Sequence, residues 1–465
     1  MIGVSSAERG TRFENARPFV DYSNLQPVSG FTATYRRLLR REVVDICALI
    51  FIADVVTGVQ TPLFPLYATS LGASLGLLGV ITAVLGLGRL ASALPIGILS
   101  DRLDRKTVLV AGMLLFALSF VAYALAPNAG WLVVPRVLQA AAMVSTFPLG
   151  VAYIGDVVEP RDRGAAIGVY TAAMGSGFAV GPLIGSWLVA NDGYPAAYLV
   201  GASIAVAGAV FGALRLIRKR TQDGEPSLGS RLVNLRTLRD LAQQTEMLMA
   251  CIANVVMTLS MAGAIFTYFP VYARGVGIST VTIGSLFAWR SIASASGRIP
   301  MGSLSTRLPA HWTLVGVLVV EAVIDVAISR TASPVALTIL LILEGVGFGI
   351  FLVTGQAAVA SAGGQRNRGA AVGMFWMAGS IGELFGPIAL GLIAESAGLI
   401  AVFQTVAVAV AGGAALVAAL GVTVAYRSRY LAGENPRQDR LVDVAAGDDA
   451  NDAAVSGEPF PSGRH

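Results

Sequence analysis

FPLYATSLGAS, residues 64–74, returns 205 positions later as FPVYARGVGIS, residues 269–279, with six of the eleven residues identical. The same shift aligns PIGILSDRL at 95–103 with PMGSLSTRL at 300–308, and RGAAIG at 163–168 with RGAAVG at 368–373. A chance match would not keep one register across three separate segments. The chain therefore consists of two related halves.

The composition indicates a membrane protein. The 465 residues are 55% hydrophobic and 13% charged, with a mean hydropathy of +0.70. Each half holds six hydrophobic runs long enough to cross a bilayer core of roughly 30 Å at about 1.5 Å per residue. We therefore expect an all-α integral membrane fold with twelve transmembrane helices in two pseudo-symmetric six-helix bundles. The runs are residues 43–66, 75–99, 108–127, 131–155, 164–190, 195–217, 247–271, 281–304, 313–329, 333–360, 369–394 and 399–426.

Basic residues mark one side of the membrane. They gather in alternate connections, whereas the remaining connections hold only Arg274 and Arg330. By the positive-inside rule the basic side and both termini are cytoplasmic. Scarce lysine beside abundant Ala and Arg is typical of high-GC bacteria, so we expect a bacterial plasma (inner) membrane. The predicted regions are a cytoplasmic N-terminal tail at 1–42, a first bundle at 43–217, a cytoplasmic connector at 218–246, a second bundle at 247–427 and a disordered cytoplasmic tail at 428–465.

The same sequence argues against several functional classes. Neither Lys106 nor Lys219 follows a glycine, so the chain has no Walker A phosphate loop. The only histidines are His311 and His465, which leaves no plausible metal site and no catalytic triad. We therefore expect no enzyme activity and no cofactor. We also expect no nucleic-acid partner, because the basic pI reflects the topology of the connections. Two bundles with a few buried charges favour a monomeric secondary transporter for a small molecule, driven by the proton gradient.

One loop carries a specific family resemblance. GILSDRLDRK, residues 97–106, resembles the G-x-x-x-D-R-x-G-R-K loop between helices 2 and 3 of the major facilitator superfamily. Asp104 departs from this pattern, in which a glycine is usual. The matching residues are Gly97, Asp101, Arg102, Arg105 and Lys106. With the repeat and the twelve runs, the resemblance covers residues 43–427.

The resemblance implies a cytoplasmic latch. Asp101 would cap the start of helix 11 near Gly369, and Asp156 would pair with Arg105 or Arg102. Such contacts would hold an outward-open state. The alternative is that these charges only fix the topology.

Two further segments resemble the drug:proton antiporter branch of this superfamily, whose members have twelve helices. PLFP at 62–65 is similar to its P-x-x-P signature, and GFAVGPLIG at 177–185 is similar to its G-x-x-x-G-P-x-x-G signature. Gly177, Gly181 and Gly185 form a smooth stripe for close helix packing, and Pro182 permits a bend. Antiport is the preferred interpretation, with uptake symport as the alternative. Part of the signal is repeat architecture, because helix 11 carries the equivalent Gly382, Gly386 and Pro387.

Ionisable residues inside membrane helices usually serve a function, since each costs at least about 2.5 kcal/mol at the bilayer centre. Asp54 lies near the middle of helix 1, and Arg136 lies in PRVLQA, which resembles the family's R-x-x-Q-G segment. We predict that Asp54 binds the proton and that Arg136 tunes its pKa. A purely structural ion pair is the alternative. Arg89 and Arg298 are interpreted as cations that reach water at the cytoplasmic side.

The second half carries its own charges. Glu321 and Asp325 share one helix face and are predicted to form a structural charge cluster with Arg290. Glu344 and Glu383 are predicted to carry a second proton or to bind a cationic substrate.

The sequence also suggests the lining of a substrate cavity. Its amides are few, which favours amphipathic or cationic compounds over sugars. The expected function is proton-coupled efflux by alternating access. A metabolite or sugar symporter, or a non-transporting sensor or scaffold, remains the alternative. Candidate lining residues are Phe147, Trp289, Phe351, Phe375 and Trp376.

Overall fold

The computed structural model describes residues 40–159, 162–218, 235–304 and 308–431, and these form twelve long helical segments. The predicted tails fall outside this range, apart from 40–42 and 428–431. Two continuous helices each contain two segments, because Arg163–Arg215 breaks at Gly193 and Pro334–Ala397 breaks at Gly364. Both glycines have positive φ, which side chains other than glycine rarely adopt. In chain order the segments are α1 (Arg41–Gln60 and Leu63–Ser70), α2 (Leu75–Arg102), α3 (Arg105–Ala124), α4 (Val133–Val157), α5 and α6 (within Arg163–Arg215), α7 (Thr245–Gly275), α8 (Thr280–Leu304), α9 (Ala310–Ile328), α10 (Pro334–Gly364), α11 (Ala370–Ala397) and α12 (Leu399–Leu431).

Nine of the described helices are long and apolar enough to cross a membrane, and Arg163–Arg215, one of them, contains two segments. The other two segments, α1 and α8, are not among the nine. α1 is broken in two at Thr61 and Pro62, and α8 carries Arg290 and Arg298. The twelve expected segments are all present as helices, and the prediction of an all-α membrane fold is confirmed.

The repeated FP-Y-A segment forms the same structure in both halves. It ends α1 and α7, and each helix is followed by a glycine with positive φ, Gly72 at 87° and Gly277 at 89°. A serine then caps the next helix: the Ser74 hydroxyl accepts from the Leu77 N–H at 3.3 Å, and the Ser279 hydroxyl accepts from the Thr282 N–H at 3.1 Å. The sequence repeat is thus a repeat of helix end, turn and helix start.

Each bundle is held together by glycine contacts. In the first, a methyl group at Gly177, Gly181 or Gly185 of α5 would collide with successive backbone carbonyls of α1. In the second, a methyl group at Gly382 of α11 would likewise collide with the Val255 carbonyl of α7, and one at Gly386 would lie 3.1 Å from Leu259 Cα. Small residues let the helix backbones approach, which substitutes for the hydrophobic driving force that is missing between helices in lipid.

The two bundles meet at one end of the molecule and separate at the other. We call the end where the connector joins the bundles the connector face, and the opposite end the far face. At the far face the Tyr268 hydroxyl donates to the Leu75 carbonyl at 3.1 Å, and the Gly76 N–H donates to Glu395 Oε2 at 2.9 Å. Both bonds cross between the bundles.

Towards the connector face the contact is lost. Gly79 of α2 packs tightly on Pro387 of α11, but Leu94, further along α2, is 63% exposed. A methyl group at Gly97 or Gly373 would meet no described neighbour within 4 Å. Among the described residues, the bundles therefore touch at the far face and diverge towards the connector face, and we call the space between them the cavity.

Candidate functional site

Asp54 lies at mid-depth on α1 and is only 6% exposed. Gly177 of α5 lies against it, since a methyl group there would be 3.0 Å from Asp54 Cβ. Its carboxylate interacts electrostatically with Arg298 of α8 in the other bundle. No described residue hydrogen-bonds or ion-pairs with this carboxylate, so it is available to a proton or a cation.

The structure does not pair Arg136 with Asp54, contrary to the predicted tuning. The Arg136 guanidinium lies 3.4 Å from the centroid of the Phe64 ring and donates to Gln139 Oε1 at 3.3 Å. Gln139 in turn bonds Gln60, six residues beyond Asp54 on α1. Six residues of helix span roughly 9 Å. Arg136 therefore lies closer to the far face than Asp54, which sequence spacing alone overlooked.

Glu383 of α11 forms an ion pair with Arg89 of α2, and this pair joins the two bundles. A methyl group at Gly86, one turn earlier on α2, would lie 3.8 Å from Glu383 Cβ. The interpretation of Arg89 as a cation that only reaches water is therefore wrong. Its partner could not be found from the sequence, because the pairing depends on how the two bundles are placed.

A buried charge cluster lies inside the second bundle. Arg290 pairs with Glu344, with its Nη2 2.6 Å from Glu344 Oε1. The Ser260 hydroxyl lies 2.8 Å from Glu321 Oε1 and 3.3 Å from Asp325 Oδ2. All these side chains are buried. The acidic face of α9 thus turns inward as predicted, but the direct partner of Arg290 is Glu344, and Ser260 of α7 bridges the other two carboxyl groups.

Of the five predicted cavity aromatics, three adjoin one another, because Phe375 contacts both Phe351 and Trp376, the latter edge-on with ring centroids 6.0 Å apart. Phe351 and Phe375 are fully buried and stack on each other with ring centroids 6.3 Å apart, so in this conformation they belong to the core of the second bundle. Phe147 packs edge-on against Phe116 of α3 with centroids 6.3 Å apart.

The two tryptophans are half exposed, at 52% for Trp289 and 50% for Trp376. Trp376 lies two turns from Glu383 on the same face of α11, and this face borders the cavity. Gly284 is where α8 contacts α5. Trp289 is five residues further along α8, so its side chain lies about 140° around the helix axis from that contact. We therefore assign Trp376 to the cavity wall and Trp289 to the outer surface.

The loop with the family pattern is partly described. Arg105 pairs with Asp156, as predicted, but the pair joins α3 to α4 within one bundle and so cannot hold the bundles together. Arg102 is exposed and Lys106 is half-buried. Gly97, where the contact with the other bundle is missing, lies on the open part of α2. The side chains of Asp101 and Gly369 lie outside those that the structure describes.

Asp104, the departure from the family pattern, caps α3. Its Oδ1 accepts from the Thr107 N–H at 2.9 Å and its Oδ2 accepts from the Thr107 hydroxyl at 2.7 Å. Partial burial opposes ionisation, but these bonds and the nearby Arg218 and Lys106 outweigh it and hold the pKa of Asp104 below its usual range. The acidic residue thus replaces the usual glycine with a helix cap.

Comparisons with known proteins agree with this architecture. The family model described as the Major Facilitator Superfamily matches residues 46–288 and 250–446. An uncharacterised MFS-type transporter of Methanocaldococcus jannaschii is 21% identical over 78% of this chain and 93% of its own length. Multidrug resistance protein 2 of Bacillus subtilis is 23% identical over 74% and 86%. A bacterial homologue of the human lysosomal transporter Spinster, solved in an inward-facing, unoccupied conformation, superposes with a TM-score of 0.66 at 16% identity over 83% of this chain and 95% of its own.

Proposed function

This chain belongs to the Major Facilitator Superfamily, and from that premise we propose that it expels small amphipathic or cationic compounds in exchange for protons. The positive-inside rule makes the connector face cytoplasmic in a bacterial plasma membrane. The described conformation is then the inward-open one, which receives compounds from the cytoplasm. The relatives include a protein named for multidrug resistance, which supports efflux.

The observation that carries this proposal is Asp54, which has no ion-pair or hydrogen-bond partner among the described residues and lies between the two bundles. A carboxylate at mid-depth attracts either a proton or a cationic substrate, and it binds only one of them at a time. Arg298, its electrostatic neighbour across the cavity, limits the cost of the charged state. Competition for one carboxylate is sufficient to make the two fluxes run in opposite directions.

Alternating access completes the cycle. In the inward-open state, ionised Asp54 binds the compound; the bundles then rock, the far face opens, and a proton from outside displaces the compound. The neutral carboxyl group permits the return, and the proton leaves to the cytoplasm. The Arg89–Glu383 pair, which joins the bundles at mid-depth, must loosen during this motion, and Glu383 is the second candidate for a proton or a cation.

The test measures proton release from everted membrane vesicles that contain a pH-sensitive dye. Respiration first acidifies the lumen of these vesicles. We expect a lipophilic cation from a suitable panel, such as tetraphenylphosphonium, to raise the luminal pH with wild type and to have no effect with Asp54→Asn. Asp45→Asn is the matched control. Asp45 is on the same helix, but its Oδ1 lies 3.0 Å from Arg215 Nη2 in an ion pair away from the cavity. Its response should match that of wild type.

Two results would decide against the proposal. If Asp54→Asn vesicles respond like wild type, the proton is carried elsewhere. If compounds enter together with protons, the chain is a symporter. In either case the charges of the second bundle become the leading candidates.

A further inference from the structure

Arg136 is a buried cation without a counter-ion among the described residues. It is 6% exposed, and no described carboxylate lies within ion-pair distance, whereas Arg290 pairs with Glu344 and Arg89 with Glu383. The ring of Phe64 offers only a cation–π contact, which is weak beside a buried ion pair. An uncompensated buried charge is strongly destabilising. The charge of Arg136 thus lacks an anion.

The surroundings of Arg136 are rich in donors that have no acceptor. Arg136 Nε, Gln60 Nε2 and the Tyr198 hydroxyl are all buried, and none makes a hydrogen bond of good geometry among the described residues. Gln60 has only the nearby Tyr123 hydroxyl as a weak partner. The three donors come from α4, α1 and α6. Tyr198 lies close enough to Arg136 to interact with it electrostatically. Buried polar groups in native proteins are nearly always hydrogen-bonded, so three such groups in one place require an explanation.

The two amide oxygens of this cluster already accept hydrogen bonds. Gln139 Oε1 accepts from the Tyr123 hydroxyl at 3.0 Å and from Arg136 Nη1 at 3.3 Å, and Gln60 Oε1 accepts from Gln139 Nε2 at 2.6 Å. Apart from the hydroxyl oxygens of Tyr123 and Tyr198, the groups that remain can only donate. The cluster therefore matches a group that only accepts and carries a negative charge.

Nearby charges point the same way. Arg89 also interacts electrostatically with Arg136. Glu383 pairs with Arg89, and no described carboxylate pairs with Arg136. One further negative charge would balance this part of the molecule.

We propose that Arg136, Gln60 and Tyr198 form a subsite for a carboxylate carried by the transported compounds. The inference rests on the proposed function, since it names the substrate class of the proposed transporter. Gln60 lies roughly 9 Å along α1 from Asp54, so a compound with a cationic and an acidic group could contact both. The favoured substrates are then amphipathic zwitterions.

The test compares rhodamine B, which has a free carboxylate, with its ethyl ester, which does not. Binding to the purified full-length protein in lipid nanodiscs is measured by fluorescence anisotropy without any proton gradient. We expect wild type to bind the acid at least about tenfold more tightly than the ester, the effect of one charge-assisted bidentate contact. Arg136→Gln should abolish this ratio by weakening the acid alone. Tyr198→Phe, which removes only one hydroxyl, should reduce it several-fold.

Asp54→Asn is the control, because it changes the binding of both rhodamines and should leave their ratio intact. Equal binding of acid and ester by wild type, or a ratio that survives both Arg136→Gln and Tyr198→Phe, overturns the inference and assigns the free donors to water. If Arg136→Gln fails to fold, the ratio of acid to ester binding in Tyr198→Phe tests the inference by itself. A preserved ratio together with no proton exchange in vesicles would retain the subsite and reject the antiport function.

Discussion

At the scale of single residues, buried charges distinguish the two bundles. Among the described residues of the first bundle, the Asp54 carboxylate and the Arg136 guanidinium have no ion-pair partner, whereas Arg290 and Glu344 of the second bundle neutralise each other. The sequence located these residues, because a charge within an apolar run is conspicuous. It could not identify their partners, because those depend on the rotation of each helix and on contacts between distant segments.

The Arg290–Glu344 pair provides a stability prediction. Glu344→Gln leaves the buried Arg290 without its counter-ion and should destabilise the protein by about 3–5 kcal/mol. The measurement is unfolding in mixed micelles with increasing dodecyl sulfate. The double variant Arg290→Met with Glu344→Met should recover most of the loss, since it removes both charges. A loss of stability below about 1 kcal/mol in the single variant would show that water reaches the ion pair.

Asp104 provides a prediction about pH. Its pKa is lower in the folded protein than in the unfolded chain, so its stabilising effect is present above the unfolded value, about 3.9, and disappears as the pH falls through the folded value. Asp104→Ala should therefore weaken amide protection in the first turn of α3 by about 1 kcal/mol at neutral pH. Hydrogen exchange should show the difference from wild type shrinking only below about pH 4. A difference that persists at lower pH would mean that the cap does not act through the carboxylate.

At the scale of helices, the glycine stripe of α5 was predictable and the shape of α7 was not. Spacing of four residues specifies a smooth face whatever it packs against, and the structure places this face on α1. In contrast, nothing in LSMAGAIFTY distinguishes the π-helical stretch Leu259–Tyr268 from an ordinary helix. That stretch includes Ser260, which bridges Glu321 and Asp325. Tertiary contacts, rather than local sequence, determine such a bulge.

The glycine stripe of α5 leads to a prediction about stability, and the same helix offers a control substitution. A methyl group at Gly181 would lie 2.6 Å from Gly58 Cα and from Val59 N, so Gly181→Ala forces α1 and α5 apart. We expect a loss of about 1–3 kcal/mol in stability. Gly168→Ala meets open space on α5 and should be neutral or stabilising by up to about 1 kcal/mol. Equal thermal unfolding midpoints for the two variants would contradict the close packing.

At the scale of the whole molecule, the repeat in the sequence predicted the twelve helices and the relation between the halves. It could not predict which face is open. Two conformations built from the same helices differ by only a few kcal/mol, and no local pattern records which one is favoured. The separation of the bundles at Gly97 and their contact at Tyr268 were found only in the structure.

The proposed transport cycle requires the two faces to open alternately, and interspin distances between paired labels measure that opening. In a background with both native cysteines replaced by alanine, one label pair at the exposed Leu103 and Ser361 reports the connector face. A second pair at Ser70 and Arg274 reports the far face. In nanodiscs without substrate, the described conformation predicts a long first distance and a short second one.

Addition of a compound that the vesicle assay shows to be transported should shift the two distances in opposite directions. The first should shorten and the second should lengthen, and Asp54→Asn should suppress both changes. Distances that move in the same direction, or that stay fixed while the compound is transported, would contradict alternating access by rocking of the two bundles.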